Sequence, residues 1–215
     1  MNKNESPTPR KRKKGLETTD RILRASAELF AANGFDAVSL TQIAEASGMR
    51  ESSLYNHFSG KNAILESLFE IFRSSAPLFR PSPEELDRLL PHMTPEEIMK
   101  HILLYFGSHG DDFVERIAMV ITNEKFKNTE AAAIYYACIV REPSAYYEAL
   151  FEKMISRGMI RSLDARMFAE QYNYVSIALT KEYFMAKNGL ADLESVVRYM
   201  VKTLRFFCSL MQAEA

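Results

Sequence analysis

Cysteine is scarce in this chain: Cys138 and Cys208 are the only two, and they are far apart in sequence. That excludes a disulfide-dense secreted scaffold and a CxxC redox or zinc pair, and it fits reduced thiols in a cytoplasm. Helix breakers are scarce too. Eight glycines and eight prolines in 215 residues leave room for many long helices, and no stretch shows the period-2 alternation of a strand. No apolar run approaches the ~20 residues of a membrane span. The basic N-terminus is followed by Glu17, Asp20, Arg21 and Arg24 rather than an apolar stretch, so a secretory signal is not expected. A Gly-rich phosphate loop, a GxSxG elbow and an HExxH pair are all missing. No enzyme activity and no cofactor are therefore expected. His92, His101, His109, Asp111 and Asp112 lack tight ligand spacing, so no metal site is expected either.

What is present is unevenly distributed. The net charge is −1, yet Lys3, Arg10, Lys11, Arg12, Lys13 and Lys14 face only Glu5 within residues 1–15. A basic arm on an acidic body points to an anionic partner at one end. The arm, with Pro7 and Pro9 and no apolar periodicity, reads as disordered. Helical periodicity begins near Glu17. Ile22, Leu23, Ala27 and Phe30 share a face that Gly34 terminates. Ser39 is an N-cap candidate for a second helix, Gly48 breaks it, a third runs from Glu51 to Phe58, and a fourth carries Ile64, Leu65, Leu68, Phe69 and Phe72. Five of the eight prolines (Pro77, Pro81, Pro83, Pro91 and Pro95) then punctuate the chain. Further helices are expected at 95–107, 111–124, 128–158 with a break or kink at Pro143, 164–187 and 191–212.

In the last helix Leu193, Val197, Met200, Leu204, Phe207 and Met211 repeat like the a/d seam of a coiled coil, with Val196, Tyr199, Phe206 and Leu210 beside them. So wide an apolar arc suits a helix facing its own core on one side and a second subunit on the other.

The stretch from Ser39 to Leu65 is the most informative. Two short helices around a Gly-containing turn make a poor core but a good reading head. Ile43, Ala44, Leu54 and Phe58 close the angle between them. Thr41, Arg50, Glu51, Ser52, Ser53, Tyr55, Asn56, His57 and Lys61 are left outward, a hydrogen-bonding set suited to major-groove edges and phosphates.

Residues 17–65 resemble the DNA-binding domain of the TetR family of bacterial transcriptional regulators. The matching features are Ala27, Leu29-Phe30 and Gly34-Phe35, then Leu40-Thr41, Ile43-Ala44, Ala46 and Gly48-Met49, then Ser53-Leu54-Tyr55, His57-Phe58, Lys61 and Leu65. The resemblance implies an all-α chain: a three-helix helix-turn-helix DNA-binding domain at 16–62 after the arm at 1–15, then an all-helical ligand-binding and dimerisation domain at 63–215. Tyr55, His57, Lys61 and Thr41 would contact phosphates, while Arg50, Glu51, Ser52, Ser53 and Asn56 would face bases. Glu51 departs from the neutral or basic residues expected there. The homodimer would rest on the last two helices, through Phe168, Val175, Leu193, Val197, Met200, Leu204, Phe207 and Met211. Phe106, Phe126, Tyr135, Tyr136 and Tyr172 are candidates to line a cavity for a hydrophobic or aromatic effector. The expected function is a cytoplasmic repressor that binds a palindromic double-stranded DNA operator as a dimer and is released by such an effector. The alternative is a TetR-like DNA-binding protein that has no small-molecule effector and acts through a protein partner. A filled C-terminal core would favour that reading.

Overall fold

The computed structural model describes residues 9–212, with side chains from Gly15 onward. They form eleven α-helices and, among the described residues, no strand. In chain order these are α1 (Pro9–Asn33), α2 (Leu40–Ala46), α3 (Glu51–Leu54), α4 (Lys61–Ser75), α5 (Pro83–Leu89), α6 (Pro95–His109), α7 (Asp112–Glu124), α8 (Thr129–Ile134), α9 (Glu142–Ser156), α10 (Ala165–Lys187) and α11 (Leu193–Met211). A 3₁₀ turn occupies Ala76–Phe79, and a π-helical segment, Tyr135–Arg141, joins α8 to α9. None of the described helices is long and apolar enough to cross a membrane.

Three expectations need correction here. Residues 1–8 of the arm lie outside the described residues, but 9–15, expected to be disordered, form the first turns of α1. Proline suits a first helical position, and lysine and arginine are good helix formers. Secondly, the proline-punctuated stretch holds a helix that the sequence reading did not place, α5. Pro83 and Pro95 open α5 and α6 behind the N-caps Ser82 and Thr94, and the side chain of each cap accepts a backbone N–H from the first turn. Thirdly, Pro143 does not break the helix at 128–158. Its missing N–H is absorbed by the wider π turn, in which the N–H of Glu142 donates to the carbonyl of Ala137. The buried Asn173 supplies the missing donors. Its Nδ2 reaches the Val140 carbonyl at 2.9 Å, the Ile139 carbonyl at 3.3 Å and the Ser144 hydroxyl at 3.1 Å.

The chain forms two compact units, and the first is discontinuous: it runs up to Ser74 and takes back Asp111–Ala132. The expected boundary at 62/63 is thus wrong, because α4 and all of α7 belong with the reading head. Both helices carry apolar stripes that need covering. α4 buries Ile64, Leu65, Leu68, Phe69 and Phe72, and α7 buries Phe113, Val114, Ile117, Val120 and Ile121. α7 lies along α1 and is keyed to it by polar contacts. Arg116 Nε meets Glu28 at 3.1 Å, Asn123 Nδ2 donates to the Ala31 carbonyl at 3.4 Å, and the Arg24 guanidinium sits 4.6 Å from the centre of the Phe113 ring.

The second unit, Ser75–Gly110 with Ala133 onward, has a core contributed mainly by α6, α9, α10 and α11. Aromatic rings meet there edge to face. Tyr147 and Tyr172 have centroids 4.8 Å apart, Tyr172 and Phe207 5.1 Å, Phe151 and Phe168 5.3 Å, and Phe168 and Phe207 5.5 Å. This corrects the expected seam of α11. Leu204, Phe207 and Met211 are buried in their own protomer, and Phe168 packs against the same core. The outward apolar residues are Leu193, Val197, Tyr199, Phe206 and Leu210, with Tyr174 and Val175 on α10. An α-helix turns every 3.6 residues, so a strict seven-residue repeat drifts around it. That drift is only about 20° per seven residues, so Leu193, Val197 and Leu204 keep nearly one face of α11, which is exposed at its start and packed in the core from Leu204 onward.

Candidate nucleic-acid interface

The reading head is built by strong local signals. Ser39 caps α2 in a reciprocal box: its hydroxyl accepts from the Gln42 N–H, and the Gln42 side chain accepts from the Ser39 N–H. α2 ends where Gly48 takes a φ of 67°. The Met49 N–H returns to the Ala44 carbonyl and the Gly48 N–H to the Glu45 carbonyl, a Schellman closure that favours glycine. α3 is shorter than expected. It is α-helical over Glu51–Leu54 and continues as hydrogen-bonded turns to Phe58. Ile43 and Leu54, both 0% exposed, lock the two short helices together. Their outer side leaves Thr41, Arg50, Ser52 and Asn56 exposed, Tyr55 54% exposed, and Glu51, Ser53 and His57 half-buried. These eight expected contacts lie on the same two helices and the turn that follows them.

Three of the expected DNA contacts carry further duties. The Thr41 hydroxyl donates to Glu51 Oε2 at 2.6 Å, so Thr41 is tied to a side chain as well as facing outward. His57 Nδ1 lies 3.1 Å from the Thr19 hydroxyl, whose proton goes to the Gly15 carbonyl, also at 3.1 Å. His57 is thereby tied to α1 through its Nδ1.

Lys61 departs furthest from expectation. Its ammonium donates to the carbonyls of Phe35 at 2.7 Å, Val38 at 2.9 Å and Asp36 at 3.4 Å, and lies 4.3 Å from the centre of the Phe35 ring. An ammonium has three N–H donors, and all three face the α1–α2 corner. Lys61 therefore fastens the head together, whereas the sequence suggested a phosphate ligand.

The same corner reveals a residue that the sequence reading missed. Glu124, at the end of α7, is 5% exposed and accepts the Phe35 N–H at 3.1 Å. The Phe35 residue is thus held at its N–H by a carboxylate and at its carbonyl by an ammonium. A signal for Glu124 existed, because it continues the buried face of Ile117 and Ile121 by helical spacing. Beside His57 runs an open groove of about 580 Å³ whose walls include Phe58, Glu66, Glu70 and Glu130. Arg73 bridges Glu70 and Glu130. This carboxylate-lined wall repels a polyanion and marks an edge of the usable surface.

The effector-lining candidates do not form one site. Phe126 belongs to the first unit and is 86% exposed, Tyr136 is 57% exposed, and Tyr172 is a buried member of the second core. Phe106 packs on Phe79 with centroids 6.2 Å apart, and Tyr135 sits on the π segment with Lys181 5.9 Å from its ring centre. Of the histidines, His101 pairs with Glu85 at 3.2 Å and His109 stacks on Tyr105 at 3.8 Å.

A small helical head with a capped first helix, a Gly-closed turn and a hydrogen-bonding surface on the second helix defines a helix-turn-helix unit. Residues 22–68 match the model of bacterial regulatory proteins of the tetR family. Over 138 residues the chain is 26% identical to YerO, a helix-turn-helix-type transcriptional regulator of Bacillus subtilis, covering 62% of this chain and 46% of that protein. The chain spans about half the length of the curated relatives it matches. Among solved structures it is similar to a TetR-family transcriptional regulator from Mesorhizobium loti, with a TM-score of 0.65 and 16% identity over 93% of this chain and 98% of that one. It is also similar to the flavonoid-responsive regulator FrrA, with a TM-score of 0.55 and 24% identity over 93% and 99%. The matched region is thus similar to the DNA-binding region of the TetR family, and most of the chain shares the fold of TetR-family structures.

Proposed function

We propose that this protein is a transcriptional repressor that binds a palindromic operator as a homodimer and is released by a small hydrophobic or aromatic effector. The observation that carries the reading is the polar, outward surface of Thr41 and Arg50–His57 on a firmly capped helix-turn-helix. Each protomer inserts α3 into a major groove, with Arg50 and Asn56 as base-reading residues and Tyr55 and His57 on the flanking backbone.

The dimer reading is supported by the unpaired apolar face of α10 and α11, where Val175, Val197, Tyr199, Phe206 and Leu210 are each at least 36% exposed. A face of that size suits a second copy of the chain. The effector reading draws on the aromatic second unit and on the flavonoid response named for the structural neighbour FrrA. An effector that prefers one spacing of the two heads by about 1–3 kcal/mol changes operator affinity ~5–150-fold.

The test is selection of fragmented genomic DNA by the purified protein, followed by sequencing. A few enriched palindromes are expected, and planar aromatic compounds, flavonoids included, should release them. Failure to enrich any palindrome at low salt, with the dimer verified by light scattering, overturns the reading.

A further inference from the structure

We infer that Glu51 is a specificity-determining residue that accepts a hydrogen bond from the exocyclic N4 amine of a cytosine, and that Thr41 is its positioning residue. The inference rests on the DNA-binding reading above and adds one base to it.

A carboxylate on a surface meant for a polyanion is out of place if that surface only gathers phosphates, because it weakens every non-specific contact. The ordinary reasons for such a residue do not apply. Among the described residues no cation and no backbone N–H pairs with Glu51, and its one partner is the Thr41 hydroxyl. The N-cap of α3 is Arg50, and no side chain caps this end. The favourable interaction of an acid with a helix dipole needs aligned peptides to sum, and α3 has four residues.

What remains is a short, aimed hydrogen bond. The Thr41 hydroxyl at 2.6 Å engages Oε2 and leaves Oε1 without a partner at the start of the reading helix. A carboxylate only accepts. In the major groove guanine offers acceptors at N7 and O6 and thymine one at O4, so both repel it. Adenine and cytosine each offer an amine. Adenine pairs its amine with the N7 acceptor, which suits an amide such as Asn56, whereas the single amine of cytosine suits one free carboxylate oxygen. Glu51 therefore selects cytosine and excludes guanine and thymine at one position of each half-site.

The experiment is binding-site selection with the full-length wild type, E51A, E51Q and T41V, followed by titration of the selected operator and its single-base variants. The wild type should enrich a palindrome with cytosine at one symmetric position. E51A should keep the palindrome but lose that base, its discrimination falling from about 5–150-fold towards onefold, while its affinity for unrelated DNA rises. E51Q should move the preference towards adenine, and T41V should weaken the cytosine preference only in part. An unchanged base preference in E51A and E51Q overturns the inference while the DNA-binding reading stands. Loss of an adenine instead overturns the cytosine assignment. Enrichment of no palindrome by the wild type overturns both the reading and the inference. Circular dichroism of each variant separates lost specificity from lost fold, and the near-isosteric E51Q keeps the test decisive if E51A unfolds.

Discussion

The half-buried corner between α1 and α2 and the buried centre of the second unit are held in opposite ways. At the corner, Glu124 and Lys61 grip the two ends of Phe35 through 3.1 and 2.7 Å hydrogen bonds. In the second unit, Tyr147, Phe151, Phe168, Tyr172 and Phe207 meet by their edges and faces, contacts that are individually weak and non-directional beside a charged hydrogen bond. A reading head must present α3 in one orientation, since a base edge tolerates little displacement. Directional bonds from distant helices fix a backbone in that way. A mould of rings fills volume and can repack, which suits a unit that changes state.

The largest expected effect tests the mould. Phe151 is 0% exposed, so Phe151→Ala should cost about 3–5 kcal/mol in urea unfolding, whereas the volume-conserving Met99→Leu should cost less than about 1.5 kcal/mol. Equal costs for the two would mean that the second core is as tightly specified as the corner. Next is the clamp. Glu124→Ala strands a half-buried N–H and should cost about 1 kcal/mol, while Glu124→Gln keeps an acceptor and should cost less. An alanine variant as stable as the wild type would dissolve the contrast.

Asn173→Ala should cost roughly 1–2 kcal/mol, because the Ile139 carbonyl loses the donor that replaces the N–H of Pro143, while the Val140 carbonyl keeps the Ser144 hydroxyl. Hydrogen exchange should quicken most at Tyr135–Arg141. A subtler effect appears in alkali. Burial pushes the Tyr147 phenol up to about 12. The folded protein thus holds a proton that the unfolded chain releases near pH 10. Stability should be insensitive to this group below about pH 10 and fall between there and about 12, as urea titrations would record. Smallest of all, burial raises the Cys208 thiol to about 11, so a disulfide reagent at pH 8 should modify it slowly until urea is added.

How much of this was legible depended on the range of the contacts. Ser39, Gly48, Leu54 and the outward polar set of the head are fixed by neighbours within a few residues, and the sequence pattern located them. The contacts of Lys61 were not legible because its partners are the carbonyls of Phe35, Asp36 and Val38, and carbonyls leave no trace in side-chain identity. Glu124 was overlooked because its partner is 89 positions away. On α11 the pattern showed correctly that two apolar rows exist. It did not show which row turns inward, because that depends on where α6 and α10 pack. The five effector-lining candidates are scattered for a related reason: aromatic residues at helical spacing look the same whether they fill a core, lie exposed or face a cavity.

The discontinuity of the first unit has a consequence for synthesis. A ribosome that has released residues up to Ser74 has made the whole helix-turn-helix, but neither Glu124 nor the apolar face of α7. At about 5–20 residues per second, the missing piece follows some seconds later. Until then the nascent head lacks its acceptor for Phe35 and its cover for α1. The order of translation thus delays a finished reading head until the Ser75–Gly110 part of the second unit has also been made.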